Sequence, residues 1–170
     1  NWGLACNSVH FVEYLDSISN RQKLTVRESN LDNKVIKSKR PGYFELTGSV
    51  AIQSESGILL NLACVHDKNA GNEKQICIRM KSKKRHLEAS LSNGVLKCDY
   101  YDDFYGSSFK EYVLPMQSQA TGSIVETILS KNSCILPTYE HSMRQHLVLF
   151  DCFEGVFSKQ LKLNGTCPIT

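Results

Sequence analysis

Seven cysteines are the residues with the most chemical potential in this 170-residue sequence, and their spacing favours disulfide bonds. They are isolated from one another, at Cys6, Cys64, Cys77, Cys98, Cys134, Cys152 and Cys167. No two have the C-x-x-C spacing of zinc sites and redox motifs, and no cluster of Cys and His matches a zinc site. Isolated cysteines are typical of proteins from oxidising compartments. The pattern predicts a secreted, extracellular protein stapled by disulfides.

An odd number of cysteines leaves one sulfur over after at most three bridges have formed within the chain. The spare sulfur could be buried or capped, or it could link two chains into a dimer. Plausible bridges are Cys64 to Cys77, Cys134 to Cys152, and Cys6 to Cys167. The first of these needs a β-bulge, because its two side chains fall on opposite faces of their strands. The connectivity stays open.

One further feature agrees with secretion, and two more bear on membrane insertion and processing. Asn164 opens an Asn-Gly-Thr tripeptide, which is an N-glycosylation acceptor. No apolar run approaches the roughly 18 residues of a membrane span, so we expect no membrane insertion. The first residues have neither the basic start nor the apolar core of a signal peptide, so we expect a mature or excised segment.

No motif indicates catalysis or a cofactor. The five histidines form no H-x-H or H-E-x-x-H pattern, and no nucleophile elbow, phosphate loop or dinucleotide fingerprint is present. The pair Asp102-Asp103 matches no calcium-binding loop, so we expect no metal. The net charge of +3 is also low for a nucleic-acid-binding domain. We therefore expect a single non-enzymatic domain over residues 1–170, without nucleic acid as a partner.

The segment from Asp99 to Tyr105 has the composition of a binding surface, because aromatic side chains are enriched where proteins bind one another. A basic run, Lys81 to His86, precedes it by two predicted strands. Alternatively, the rings cap the end of the domain, and the lysines form a solvated hairpin tip that deters edge pairing. The predicted partner-binding residues are Tyr100, Tyr101, Asp102, Asp103, Phe104, Tyr105, Lys83, Lys84 and Arg85.

The elements that must position these residues read as strands. Between Pro41 and Tyr100 we predict a meander of five, because apolar and polar residues alternate with period two. Their ranges are Tyr43–Gln53, Ile58–Val65, Gln75–Lys81, Leu87–Leu91 and Val95–Tyr100. On the first, Glu45 and Thr47 are assigned to the polar face. Asn93-Gly94 has the composition of a tight hairpin turn between the last two.

The flanking segments are also read as strands. Their ranges are Val9–Leu15, Lys23–Glu28, Tyr112–Met116 (an edge strand at best, because of Pro115), Ile124–Leu129, Gln145–Phe153 and Val156–Leu163. The first is ambiguous, since Phe11, Leu15 and Ile18 also have helical spacing, but its β-branched and aromatic content favours a strand. The near-continuous apolar run at Leu147–Phe150 predicts a central strand that is covered on both faces. No helix is expected. About nine or ten short strands predict an all-β fold, an antiparallel β-sandwich or jelly roll.

The phrase Pro41–Val50 resembles a strand of jelly-roll ligands of the tumour necrosis factor and complement-globular type. The sequence from there to Met80 is similar in pattern to galectins, but Ile76–Met80 lacks the His, Asn and Arg that bind sugar in galectins. No site is carried over. The sequence thus predicts an extracellular module that recognises a protein or glycoprotein, alone or as one unit of an adhesive or matrix protein. The alternatives are a cytokine-like jelly-roll ligand and a glycan-binding lectin.

Overall fold

The computed structural model of the chain describes residues 3–38, 40–65, 75–92, 94–114, 117–134, 136–161 and 169. Within these ranges, nine strands lie between one N-terminal helix and two C-terminal helices. The strands are β1 (Leu24–Leu31), β2 (Ile36–Lys37), β3 (Phe44–Glu45), β4 (Gly48–Ser54), β5 (Leu59–Val65), β6 (Gln75–Lys81), β7 (Arg85–Ser92), β8 (Val95–Asp102) and β9 (Gly106–Val113). The helices are α1 (Leu4–Ile18), α2 (Gln117–Lys131) and α3 (Tyr139–Leu161).

Seven of the strands form one antiparallel sheet in the order β1-β4-β5-β6-β7-β8-β9, and β2 pairs with β3 in a small second sheet. From β4 onward each strand pairs with the next one in the chain, so the predicted meander is confirmed. The chain is mostly β, which confirms the predicted all-β fold only in part, because three helices accompany the sheets. Period-two alternation identified β5 and β6 almost to the residue, because both strands bury only one face.

Three helices contradict the expectation that the chain contains none. Helix α1 buries Leu4, Phe11, Val12 and Leu15, a spacing that makes one stripe along a helix. Helix α3 buries Leu149, Cys152, Phe153 and Phe157 at the same kind of spacing. The strands predicted at Val9–Leu15, Ile124–Leu129 and Gln145–Phe153 are therefore wrong, and so is the one predicted at Val156–Leu163 over its described residues 156–161.

The core lies between one face of the sheet and the helices. Helix α1 packs against β3, β4, β5 and α3, and α3 packs against β1. Val50, Ile52, Leu60 and Leu62 supply the sheet side of this core. Burying each such side chain contributes about 1.5–3 kcal/mol to folding. On this face, α1 and α3 cover the part of the large sheet that contains β1, β4 and β5, and the predicted sandwich or jelly roll is not confirmed.

The predicted strand Tyr43–Gln53 is interrupted before β4. Gly48 has a φ of +117°, and a Cβ on it would lie 2.3 Å from the carbonyl oxygen of Asn30, so only glycine fits there. The interruption changes which residues face inward. Glu45 is only 3 % exposed, and its Oε2 accepts a hydrogen bond from the backbone N–H of Cys6 at 3.3 Å. Glu45 and the equally buried Thr47 are therefore not on a solvated polar face.

No disulfide joins any two of the six cysteines that the structure describes, so the prediction of a disulfide-stapled domain is wrong for this part of the chain. Cys64 pairs with Ile76 across β5 and β6, and Cys77 pairs with Ala63. Their ladder has no register shift, so the two side chains point to opposite faces and cannot bridge. Cys134 and Cys152 are not bonded either. Cys167 and the predicted glycosylation site Asn164 lie outside the described residues.

Within the described ranges, no helix combines the length and the apolar character that a membrane crossing requires.

Candidate partner-binding site

The structure brings the predicted basic and aromatic segments together at one end of the sheet. Lys83 and Lys84 lie in the turn between β6 and β7, and Phe104 and Tyr105 lie in the turn between β8 and β9. Strands β7 and β8 pair with Arg85 opposite Asp102, which sets the two turns side by side. The backbone N–H of Asp103 donates to the carbonyl of Lys84 at 3.1 Å. We call the exposed side chains of Lys83, Lys84, Arg85, Tyr101, Asp103, Phe104 and Tyr105 the tip surface.

Asp102 organises the β8–β9 turn from beneath. Its Oδ1 accepts hydrogen bonds from the backbone N–H groups of Phe104 at 2.9 Å and Tyr105 at 3.3 Å. Its Oδ2 accepts from Arg85 Nε at 2.8 Å and from the hydroxyl of Tyr100 at 3.2 Å. Each carboxylate oxygen therefore has two donors. The turn is held in one conformation by a single side chain that is 2 % exposed.

The same contacts change the protonation of the carboxyl group. The N–H of Phe104 is the largest cause that lowers the pKa of Asp102, and Arg85, Tyr105 and Tyr100 act in the same direction. Desolvation opposes them, but the pKa of Asp102 still lies below its usual value of 3.8. In return, Asp102 raises the pKa of the Arg85 guanidinium. The carboxylate is therefore ionised when the turn is formed.

Asp102 and Tyr100 are less exposed than the other predicted contact residues. Asp102 is buried and Tyr100 is half-buried, so both support the turn rather than form its surface. The exposed residues are held above them.

Two aromatic rings project into solvent at this tip. The side chains of Phe104 and Tyr105 are 78 % and 87 % exposed, although the backbone that carries them is fixed by Asp102. Lys84 Nζ lies 5.3 Å from the centroid of the Phe104 ring, within the range of a cation–π contact. The tip surface thus presents fixed aromatic groups beside positive charge.

A shallow cavity of ≈ 230 Å³ adjoins the tip on the face of the sheet that points away from the helices. Its lining includes His86, Tyr101, Ser107 and Phe109. His86, Ser107 and Phe109 are not among the partner-binding residues predicted from the sequence. They meet only through the register of three strands, in which His86 lies opposite Tyr101 and Tyr101 lies opposite Ser107.

In the part of the chain that is described, no group of three or more His, Cys, Asp or Glu side chains is placed to hold a metal ion. The chain matches no family model, and comparison with curated proteins and with solved structures gives no match for it.

Proposed function

We propose that the chain is a non-enzymatic recognition module that binds a protein or glycoprotein partner through its tip surface. The observation that carries the proposal is the support of the β8–β9 turn by Asp102, which fixes the backbone of two exposed aromatic residues. Buried aromatic residues are the commonest energetic centres of protein interfaces. Phe104 and Tyr105 are the candidates for that role.

The rigidity of the turn favours binding. A flexible loop loses conformational freedom when a partner orders it, which weakens the complex. Here, the hydrogen bonds of Asp102 order the turn in the unbound chain. Covering a phenylalanine ring removes apolar surface from water and contributes about 1.5–3 kcal/mol. A turn ordered in advance leaves more of that gain for affinity than a flexible turn would.

The charges beside the rings indicate the character of the partner. Lys83 and Lys84 are exposed, and much of the Arg85 side chain is exposed while it pairs with Asp102. Interfaces commonly place complementary charges around an apolar centre, where they steer association. We infer a partner surface with an apolar pocket and an acidic rim, supplied by carboxylates or by acidic sugars. An extracellular location is part of this proposal, although its disulfide support is lacking among the described cysteines.

The test combines affinity capture with measurement of stability. Wild-type chain, the double variant Phe104→Ala/Tyr105→Ala and the control Tyr139→Ala would be immobilised and exposed to native secretions. Tyr139 is exposed like the tip rings but lies on α3. We expect a partner that wild type and control retain and the double variant loses, with single alanine variants weakening affinity by about 2 kcal/mol or more.

Charge reversal at Lys83 and Lys84 should mainly slow association and change its dependence on salt. Equal capture by all three proteins would overturn the proposal. So would a double variant that has lost thermal stability but binds normally in its folded fraction, because the rings would then serve folding.

A further inference from the structure

Strand β9 forms an open edge of the seven-stranded sheet. It pairs with β8 at every position from Gly106 to Val113, and no register shift interrupts this ladder. All eight of its residues are exposed, and no described strand pairs with its outer side. An edge strand of this kind presents unpaired backbone N–H and C=O groups in a regular row.

The opposite edge of the sheet is protected in two ways. Strand β1 has a register shift between Val26 and Glu28, and such irregularities hinder the addition of another strand. Helix α3 also packs against β1, where the Ser29 hydroxyl donates to the carbonyl of Cys152 at 2.7 Å. Strand β9 has neither an irregular ladder nor a proline. The two edges of one sheet therefore differ in their capacity to accept a strand.

The side chains of β9 give this edge a chemical preference. Phe109, Glu111 and Val113 lie on the face away from the helices, and Lys110 and Tyr112 lie on the other face. Phe109, Tyr112 and Val113 are exposed apolar or aromatic side chains. Glu111 already has a partner on β8, since its Oε1 lies 3.2 Å from Lys97 Nζ. Across an added strand, Lys110 would pair best with an acidic residue.

We propose that the outer edge of β9 accepts an extended segment of a partner protein as an eighth, antiparallel strand. Backbone hydrogen bonds would give affinity, and side chains opposite β9 would set the register. The preferred segment has an acidic residue opposite Lys110 and apolar residues opposite Phe109 and Val113. A hexapeptide that meets these requirements in an antiparallel register is Val-Thr-Arg-Glu-Val-Thr. Its Glu lies opposite Lys110 and its Arg lies opposite Glu111. This site is separate from the tip surface and does not depend on the function proposed for it.

The probe is that hexapeptide, carrying a fluorophore on a flexible linker. Its matched control has the same sequence with N-methyl groups on the alternate backbone amides that would face β9. These groups prevent the peptide from pairing with β9. Fluorescence anisotropy would measure affinity, and amide hydrogen exchange would locate the binding. We expect slowed exchange in β9 with the unmethylated peptide, and at least a tenfold loss of affinity with the methylated one.

A charge exchange then tests the register. The variant Lys110→Glu/Glu111→Lys should lose at least fivefold in affinity for the original hexapeptide. It should recover that affinity for a peptide in which Arg and Glu have changed places. Exchange at the β8 amides reports whether the variant keeps its sheet.

Three results would overturn the proposal. The first is an absence of binding at peptide concentrations up to millimolar. The second is equal affinity for the methylated and unmethylated peptides. The third is slowed amide hydrogen exchange outside β9. A fourth contrary result is pairing of β9 with a second copy of the chain. Sedimentation would detect it as a doubling of mass that persists with excess peptide. Loss of the tip rings by Phe104→Ala/Tyr105→Ala should leave peptide binding unchanged, which separates this site from the tip surface.

Discussion

The side-chain amide of Gln145 on α3 donates a hydrogen bond to Asp16 Oδ2 on α1 at 3.0 Å, and both side chains are buried. The same amide nitrogen also donates to Glu13. Arg144 Nη2 lies 3.8 Å from Asp16 Oδ2, a distance near the upper limit for an ion pair. The two helices are thus joined by a polar bridge as well as by their apolar stripes.

Removing this bridge should destabilise the fold. In Gln145→Ala, the buried carboxylate of Asp16 loses a donor, and leaving such a group unsatisfied costs about 1–3 kcal/mol. Urea denaturation measures the loss. Gln160→Ala, at an exposed position of the same helix, is the matched control and should stay within about 0.5 kcal/mol of wild type. Equal losses in the two variants would show that the bridge contributes nothing specific.

A second pair of variants distinguishes a helix from a strand in α3. Leu149 is 1 % exposed and Leu147, two residues earlier, is 51 % exposed. Leu149→Ala should cost about 2–5 kcal/mol through lost burial and a residual cavity. Leu147→Ala should cost far less, and chemical denaturation of both variants gives the comparison. A strand covered on both faces would bury both leucines, so two large losses would contradict the helix.

The stability contributed by Asp102 should depend on pH. Because its pKa is lowered on folding, the ionised carboxylate stabilises the chain above its usual pKa of 3.8. That contribution is lost as the pH falls below 3.8 and through the lower pKa of the folded state. Asp102→Asn should therefore be less stable at pH 7, and the difference from wild type should shrink at low pH. Thermal melts between pH 2 and about 7 measure it. A difference that is constant with pH would contradict this role for the carboxylate.

The cysteines should differ sharply in their reactivity. Burial raises the pKa of the Cys152 thiol to about 12, so little thiolate forms near neutral pH. Cys134 is exposed, and its thiol should react with iodoacetamide many times faster than that of Cys152. Peptide mass spectrometry of briefly alkylated native protein would show the order. A Cys134–Cys152 disulfide in secreted material would leave both unlabelled and restore the bridge expected from sequence.

Local alternation was enough to predict the meander from β5 to β8. Successive side chains of a strand point to opposite faces of the sheet. When only one face is buried, apolar and polar residues therefore alternate along the sequence. The continuous apolar run Leu147–Phe150 predicted Leu149 as buried, although within a strand rather than a helix. Composition, not alternation, selected the basic and aromatic segments of the tip, whose turns are only two strands apart.

The helices could not be decided in this way. Leu147–Phe150 is an apolar run that fits a covered strand or a helix, and only packing distinguishes them. In the structure, Leu149 and Phe153 face the core while Leu147 points to solvent, as one helical stripe requires.

Tertiary structure also decided the role of each residue at the tip. In sequence, Asp102 is one of two adjacent acids, and nothing local distinguishes it from Asp103. Strand pairing places Arg85 opposite Asp102, and the turn that follows directs two backbone N–H groups at its carboxylate. The sequence by itself thus determined the strands of the meander from β5 to β8, because their alternating pattern is local. The helical layer, the open edge at β9 and the buried support under Phe104 depend on contacts between distant residues, which only the folded chain brings together.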